Sequence, residues 1–149
     1  MPEFILDQGN PFGQRWYQSL NAFTQGYVQA MFFTSTGDGD GDGDGDGDGD
    51  GESLEFANIG ELSPETRTGI IADCAAFVAW NVDNLMAACT IGGYDMEFAG
   101  GDFWLTRNHH GTGFWDRNLA DLGDKLDVAT RKYRETDLYR GDDGLLYLS

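Results

Sequence analysis

The sequence predicts an α+β fold: about three helices packed on a small antiparallel sheet built from two hairpins, with a long acidic Gly-Asp loop. Three observations lead there. Apolar residues recur at helical spacing in three separate stretches. The spacing gives way to alternation around Asp102–Arg107. A Gly-Asp-Asp-Gly turn, residues 141 to 144, separates two short apolar runs near the C-terminus.

In the first helical stretch Trp16, Leu20, Phe23, Tyr27 and Met31 fall on one face, and Thr34-Ser35-Thr36-Gly37 ends it. Next comes an alternating Gly-Asp tract from Gly37 to Gly51. Glycine loses the most backbone entropy on ordering and like charges at every second residue repel, so the tract reads as a surface loop inside a single domain. Ser63-Pro64-Glu65 is a strong helix start: a capping hydroxyl, a proline in the first turn and an acid at the positive helix end. One long or two broken helices follow from Pro64 to Cys89, with Ile70, Cys74, Phe77 and Leu85 inward and Asn81 interrupting the stripe.

Residues Asp102–Arg107 then alternate as a strand, Asn108–Gly113 turn, and Phe114–Arg117 return as a second strand. Leu119–Tyr133 reads as a third helix with Leu119, Leu122, Leu126 and Ala129 inward. Leu138–Arg140 and Leu145–Leu148 form the second hairpin. Layered together, these elements place helices on one face of the sheet.

The chain has 149 residues, about one domain's worth, and a formal net charge of −17. Residues 37 to 52 hold seven Asp, one Glu and no Lys or Arg, leaving −9 for the remainder. That balance repels nucleic-acid phosphates and anionic membrane surfaces and favours basic partners or cations. The N-terminal MPEFILDQGNPFGQRW lacks the basic and apolar regions of a signal peptide, and no run of 18 apolar residues suggests a membrane span. Cys74 and Cys89, 15 residues apart, would lie roughly 22 Å from each other on one continuous helix, too far to bridge. Reduced thiols fit a host cytoplasm.

The densest segment is Asp102–Arg117, DFWLTRNHHGTGFWDR. With Gly123-Asp124-Lys125-Leu126 and DLYRGDDG from Asp137 to Gly144, it resembles a family of small acidic proteins encoded by phages and prophages of proteobacteria. The blocks agree in order and spacing. The resemblance implies a phage origin and carries no established activity with it.

Several chemistries suggest themselves. In the tract, only a loop beginning at Asp44 places a carboxylate, Glu55, at its twelfth position, so Asp44, Asp46, Asp48, Asp50 and Glu55 are the calcium candidates. The simplest reading remains a solvated acidic loop; loose, low-affinity Ca²⁺ association comes next, and no other cofactor is implied. DNA mimicry is a further reading. A Gly-Asp chain carries about one charge per 7 Å against one per about 1.7 Å in the duplex, so a mimic would use acids fixed on the folded surface. Those are Glu61, Glu65, Asp73, Asp83, Asp121, Asp124 and Asp127.

His109 and His110, with Asp102 and Asp116, outline a metal or general-base site. Adjacent histidines in a turn rarely aim at one ion, and no third histidine or CxxC completes a zinc pattern. Arg107 and Arg117 flank that turn and suit an anionic ligand, although an ion pair with Asp102 or Asp116 is the simpler use. Of Phe114 and Trp115, one should lie on the less buried face, where large rings often mark interfaces.

The preferred expectation is a small phage-encoded accessory protein that binds a host or phage protein with a basic surface, without direct nucleic-acid or membrane contact. Trp115, Arg107, Arg117, Asp121, Asp124 and Asp127 are its candidate contacts. The alternatives are a metal-dependent hydrolase centred on the His-His turn and a virion-associated structural protein with a calcium-ordered acidic loop.

Overall fold

In a computed structural model of the chain, residues 11–35, 54 and 57–149 are described. The acidic tract and its calcium candidates Asp44, Asp46, Asp48, Asp50 and Glu55 lie outside them. The described elements are helices α1 (Pro11–Ser19), α2 (Ala22–Ser35), α3 (Pro64–Ala88), α4 (Met96–Arg107) and α5 (Asp121–Thr130) and strands β1 (Leu138–Arg140) and β2 (Leu146–Leu148). Short 3₁₀ turns occupy Ile59–Glu61 and Phe114–Asp116.

The expected architecture of three helices on two hairpins is therefore overturned. Among the described residues the fold is mostly helical, and its sheet has two antiparallel strands. The C-terminal hairpin forms where expected, with Leu138 opposite Leu148 and Arg140 opposite Leu146. Gly144 takes φ +84° in its turn, a conformation that favours glycine. The other expected hairpin does not form. Asp102–Arg107 is the C-terminal half of α4, and Phe114–Asp116 is a 3₁₀ turn.

The physical reason lies upstream. The Asp95 carboxylate accepts a hydrogen bond from Phe98 N at 2.9 Å, capping a helix whose first turn carries Glu97. From Ala99 to Arg107 almost every side chain is buried, so α4 shows neither a one-sided stripe nor a true alternation. The first expected helix is also broken in two. The Asn21 Oδ1 accepts from Thr24 N at 2.9 Å and starts α2 afresh. The third starts later than expected, at Asp121, because Asn118 and Ala120 adopt φ +60° and +54°, and it ends at Thr130; Leu119, just before it, and Leu126 are nonetheless buried.

α3 forms as its sequence implies. Ser63 Oγ accepts from Thr66 N at 3.1 Å, Pro64 opens the first turn, and Ile70, Cys74, Phe77 and Leu85 are buried. Asn81 departs from helical geometry at φ −126°, ψ 20°, and its Nδ2 donates to the Phe77 carbonyl at 2.9 Å, which locates the kink.

The centre of the molecule is the crossing of α2 and α4. A methyl group added at Gly26 would collide with the carbonyl oxygen of Glu97, and one at Gly100 with that of Phe23. The two backbones meet where neither helix has a side chain. This approach stacks Phe103 on Phe77 with centroids 4.2 Å apart and sets Tyr27 edge-on to Trp104 at 5.3 Å. Trp104 Nε1 donates to Thr34 Oγ1 at 2.9 Å, giving the buried indole its partner.

Gly100→Ala is expected to cost about 3 kcal/mol, since the methyl meets backbone on the facing helix and no side chain can yield. Gly69→Ala, with nothing within 4 Å of the added carbon, is expected to stabilise by about 0.5–1 kcal/mol. Urea unfolding of both variants checks the pair; equal effects would contradict the close crossing.

Candidate interaction surface around Trp115

The segment after α4 turns back at His109, which takes φ +56°, and at Gly111, φ +85°. Asp116 ties the turn together. Its carboxylate accepts from Thr112 Oγ1 at 2.9 Å and from Gly113 N at 3.1 Å. Partial desolvation pushes Asp116 upward, but these hydrogen bonds and the Arg117 charge outweigh it and hold its pKa below the usual carboxylate range. Phe114 is fully buried, while its neighbour Trp115 is 53 % exposed. The expected division between these two rings is present, on a 3₁₀ turn in place of a strand.

The Trp115 backbone rests on the start of α5. A Cβ at Gly123 would sit 2.7 Å from the Phe114 carbonyl oxygen, so only glycine permits this approach. Asp121 and Asp124, both exposed, flank Gly123 in the first turn of α5. A cleft of about 290 Å³ opens at Trp115, lined also by Leu105, Thr106, Arg107, His109 and Arg131. Asp127 reaches its wall and pairs with Arg131 at 2.9 Å. Trp115 and Asp127 thus line one cleft, while Asp121 and Asp124 stand in the first turn of α5 outside its lining.

Arg107 lines the same cleft, although its guanidinium is engaged by the protein, and Arg117 stands outside the lining. The Arg107 guanidinium donates to Asp73 Oδ2 at 3.0 Å, to Tyr27 Oη at 3.1 Å and to the Arg134 carbonyl at 2.8 Å. It is a buried cation with each side of its fork answered. Arg117 clamps Asp102, with Nη2–Oδ1 at 2.8 Å and Nε–Oδ2 at 3.1 Å, and Tyr94 Oη donates to the same carboxylate at 2.7 Å. The expected pairing of Arg117 with Asp102 exists, between a turn and a helix. Burial pushes the Asp102 pKa above its ordinary value, against the lowering pull of Arg117 and Tyr94.

The four residues of the outlined metal or general-base site do not converge. Asp102 is 1 % exposed with Arg117 and Tyr94 on its oxygens, and Asp116 holds its own turn. His109 and His110 are exposed, with His109 Nε2 3.6 Å from Glu135 Oε2. Among the described residues no three His, Cys, Asp or Glu side chains are placed to hold a metal ion. Burial also pushes the Cys74 thiol up to about 12, the wrong direction for a nucleophile.

The acids named for mimicry divide. Glu61 pairs with Arg140 at 3.1 Å, Asp73 with Arg107 and Asp127 with Arg131. Glu65, Asp83, Asp121 and Asp124 remain exposed without a salt bridge to a described residue.

Sequence reasoning missed the outer face of α3, where Trp80 is 83 % exposed and Met86 57 %. The signal was present: between Thr68 and Ala87 the only charged residues are Asp73, turned to Arg107, and Asp83. By length and composition, with an 18-residue stretch of mean hydropathy 1.2, α3 is long and apolar enough to cross a membrane, although its inner face packs in the protein core. Compared with family models, curated proteins and solved structures, the chain matches none.

Arg117→Met is expected to cost about 3 kcal/mol at pH 7, because it leaves the Asp102 carboxylate buried with Tyr94 alone. A raised carboxyl pKa means that the fold takes up a proton more readily than the unfolded chain, so stability falls as pH rises through the raised value. Removing Arg117 lifts that value further, so the deficit should shrink between pH 7 and pH 5. Urea unfolding at both pH values checks this, and a deficit independent of pH would contradict it.

Proposed function

We propose that the protein is a small, non-enzymatic accessory protein that binds a host or phage protein through the surface around Trp115. The observation that carries this reading is an exposed indole on a rigid mount. Its turn is fixed by Asp116 and by backbone contact with Gly123, so docking the ring would sacrifice little chain entropy. Positive φ at His109, Asn118 and Ala120, which together frame the turn, adds local strain of the kind concentrated at binding sites.

Asp121 and Asp124 beside Trp115 favour a partner with a basic surface. Both also stabilise the positive end of α5, a structural duty that binding would share. The resemblance of the blocks at 102–117, 123–126 and 137–144 to phage and prophage proteins supports a phage origin and action in the host cytoplasm. Direct contact with nucleic acid is disfavoured by the net charge of −17.

The test is affinity capture from host and infected-cell lysates with the unmodified protein, Trp115→Ala, and Asp121→Asn combined with Asp124→Asn. A specific partner should survive EDTA and bind Trp115→Ala at least about 30-fold more weakly, the loss for a hot-spot aromatic worth 2 kcal/mol or more. The double Asp variant should weaken binding at low salt more than at high salt. A partner held equally well by Trp115→Ala would contradict this surface, and capture abolished by EDTA would move the reading to a metal-dependent one.

A further inference from the structure

We propose that the outward face of the β1–β2 hairpin is a second interaction surface, which takes an arginine side chain from a basic segment of a partner protein. Alternation along the strands builds this face. Leu138 and Leu146 turn inward and are buried, so Tyr139 and Tyr147, directly opposite each other, stand on the outer side. Their rings stack with centroids 5.8 Å apart and an interplanar angle of 26°. Tyr139 is 46 % exposed. The DLYRGDDG block that forms the face, Asp137 to Gly144, contributes nothing to the cleft at Trp115.

The aromatic pair is held in place. A Cβ at Gly141 would sit 2.7 Å from the Tyr147 ring, so the ring lies across the glycine. Tyr147 Oη donates to Asp143 Oδ2, and Asp143 Oδ1 accepts from Leu145 N at 3.0 Å, which ties the ring to the turn. Cross-strand pairing of this kind stabilises the hairpin. It engages one side of Tyr139 and no other described ring contacts the residue. A ring already ordered by its neighbours loses little freedom when a ligand docks on it.

The chain's own arginines indicate what such a ring takes. Arg117 lies over Phe98 at 5.1 Å, and Arg67 over Trp16 and Arg107 over Tyr133 each at 5.4 Å. Among the described residues no arginine lies over Tyr139. Arg140, the basic residue of the hairpin, alternates to the inner side and pairs with Glu61 at 3.1 Å.

Charge points the same way. Asp137, two residues before Tyr139, lies on the same side of the chain, and Asp142 is exposed in the turn. The bond to Asp143, with burial and the Glu65 charge adding to it, pushes the Tyr147 hydroxyl up to about 12, so Glu65 at the start of α3 stands near this face. Asp137, Asp142 and Glu65 form no salt bridge with a described residue. A planar guanidinium stacks on a ring while its edge N–H groups reach carboxylates, whereas an ammonium offers only a point charge.

The test is an NMR titration of the isotope-labelled full chain with end-blocked Arg-Gly-Arg and Lys-Gly-Lys peptides, at low and physiological salt. Saturable shifts should centre on Tyr139, Tyr147 and the turn between them, with the arginine peptide bound at least about threefold more tightly. Tyr139→Val keeps a strand-forming residue and should weaken that binding at least about threefold, while Tyr139→Phe should retain it. Asp137→Asn, away from the rings, should weaken binding more at low salt than at high. Trp115→Ala should bind the peptide as the parent does, which separates this surface from the one at Trp115. Shifts confined to residues 37–52, or equal binding by Tyr139→Val and the parent, would overturn the proposal. Equal binding of the two peptides would overturn the assignment to arginine.

Discussion

Everything in this molecule is arranged around the place where α2 and α4 cross without side chains between them. Gly26 meets the backbone at Glu97, and Gly100 meets it at Phe23. Glycine in a helix costs roughly 0.5–1 kcal/mol relative to alanine, so two at one crossing represent a local sacrifice. What offsets it is the aromatic cluster the approach permits. Phe23, Tyr27, Phe103 and Trp104 come from the two crossing helices, and Phe77 of α3 closes over them at 4.2 Å from Phe103. Each ring buried in such a cluster contributes on the order of 3–5 kcal/mol by the cost of its removal.

Drawing α4 that deep has a consequence for its polar residues. Asp102, Thr106 and Arg107 lie inside the protein and must each be answered there. Asp102 is answered by Arg117 and Tyr94, Thr106 by Phe114 N at 3.2 Å, and Arg107 by Asp73, Tyr27 and the Arg134 carbonyl. The dense block from Asp102 to Arg117 is therefore largely an internal fastening of α4 to the turns that follow it. Its outward contribution narrows to Trp115 and the histidines. Trp115 is set against the start of α5 because Gly123 leaves room for the backbone. The fastening and the presented ring are thus products of the same chain reversal.

The parts of this structure legible in sequence were those with one-sided environments. The start of α3 at Ser63-Pro64, its inward stripe, the inward residues of α5 and the Gly141–Gly144 turn all carry local signals that packing did not override. α4 was hidden for a physical reason. Gly100 and Gly101 lower its helix propensity where the close crossing needs the first of them, and burial on nearly every side erases its periodicity. Asp102, Phe103, Trp104, Leu105 and Thr106 then imitate alternation. The break before α2 was hidden differently: the face from Trp16 to Met31 keeps helical spacing across it, and only Asn21 as a cap betrays it. For the site, the exposed member of Phe114 and Trp115 and the pairing of Arg117 with Asp102 could be argued from residue types. The internal use of Arg107 could not, because its partners Tyr27 and Asp73 are 80 and 34 residues away in sequence.

The α2–α4 crossing as the core of the fold is tested most directly by native-state hydrogen exchange. If the two helices form one cooperative unit, amides from Tyr27 to Met31 and from Phe103 to Arg107 should exchange together in the slowest class, at the free energy of global unfolding. The amides of α1 and of β1–β2 should open earlier. Fast exchange at Phe103–Arg107 beside a protected α2 would show that α4 is not held by the crossing, and the account would fail.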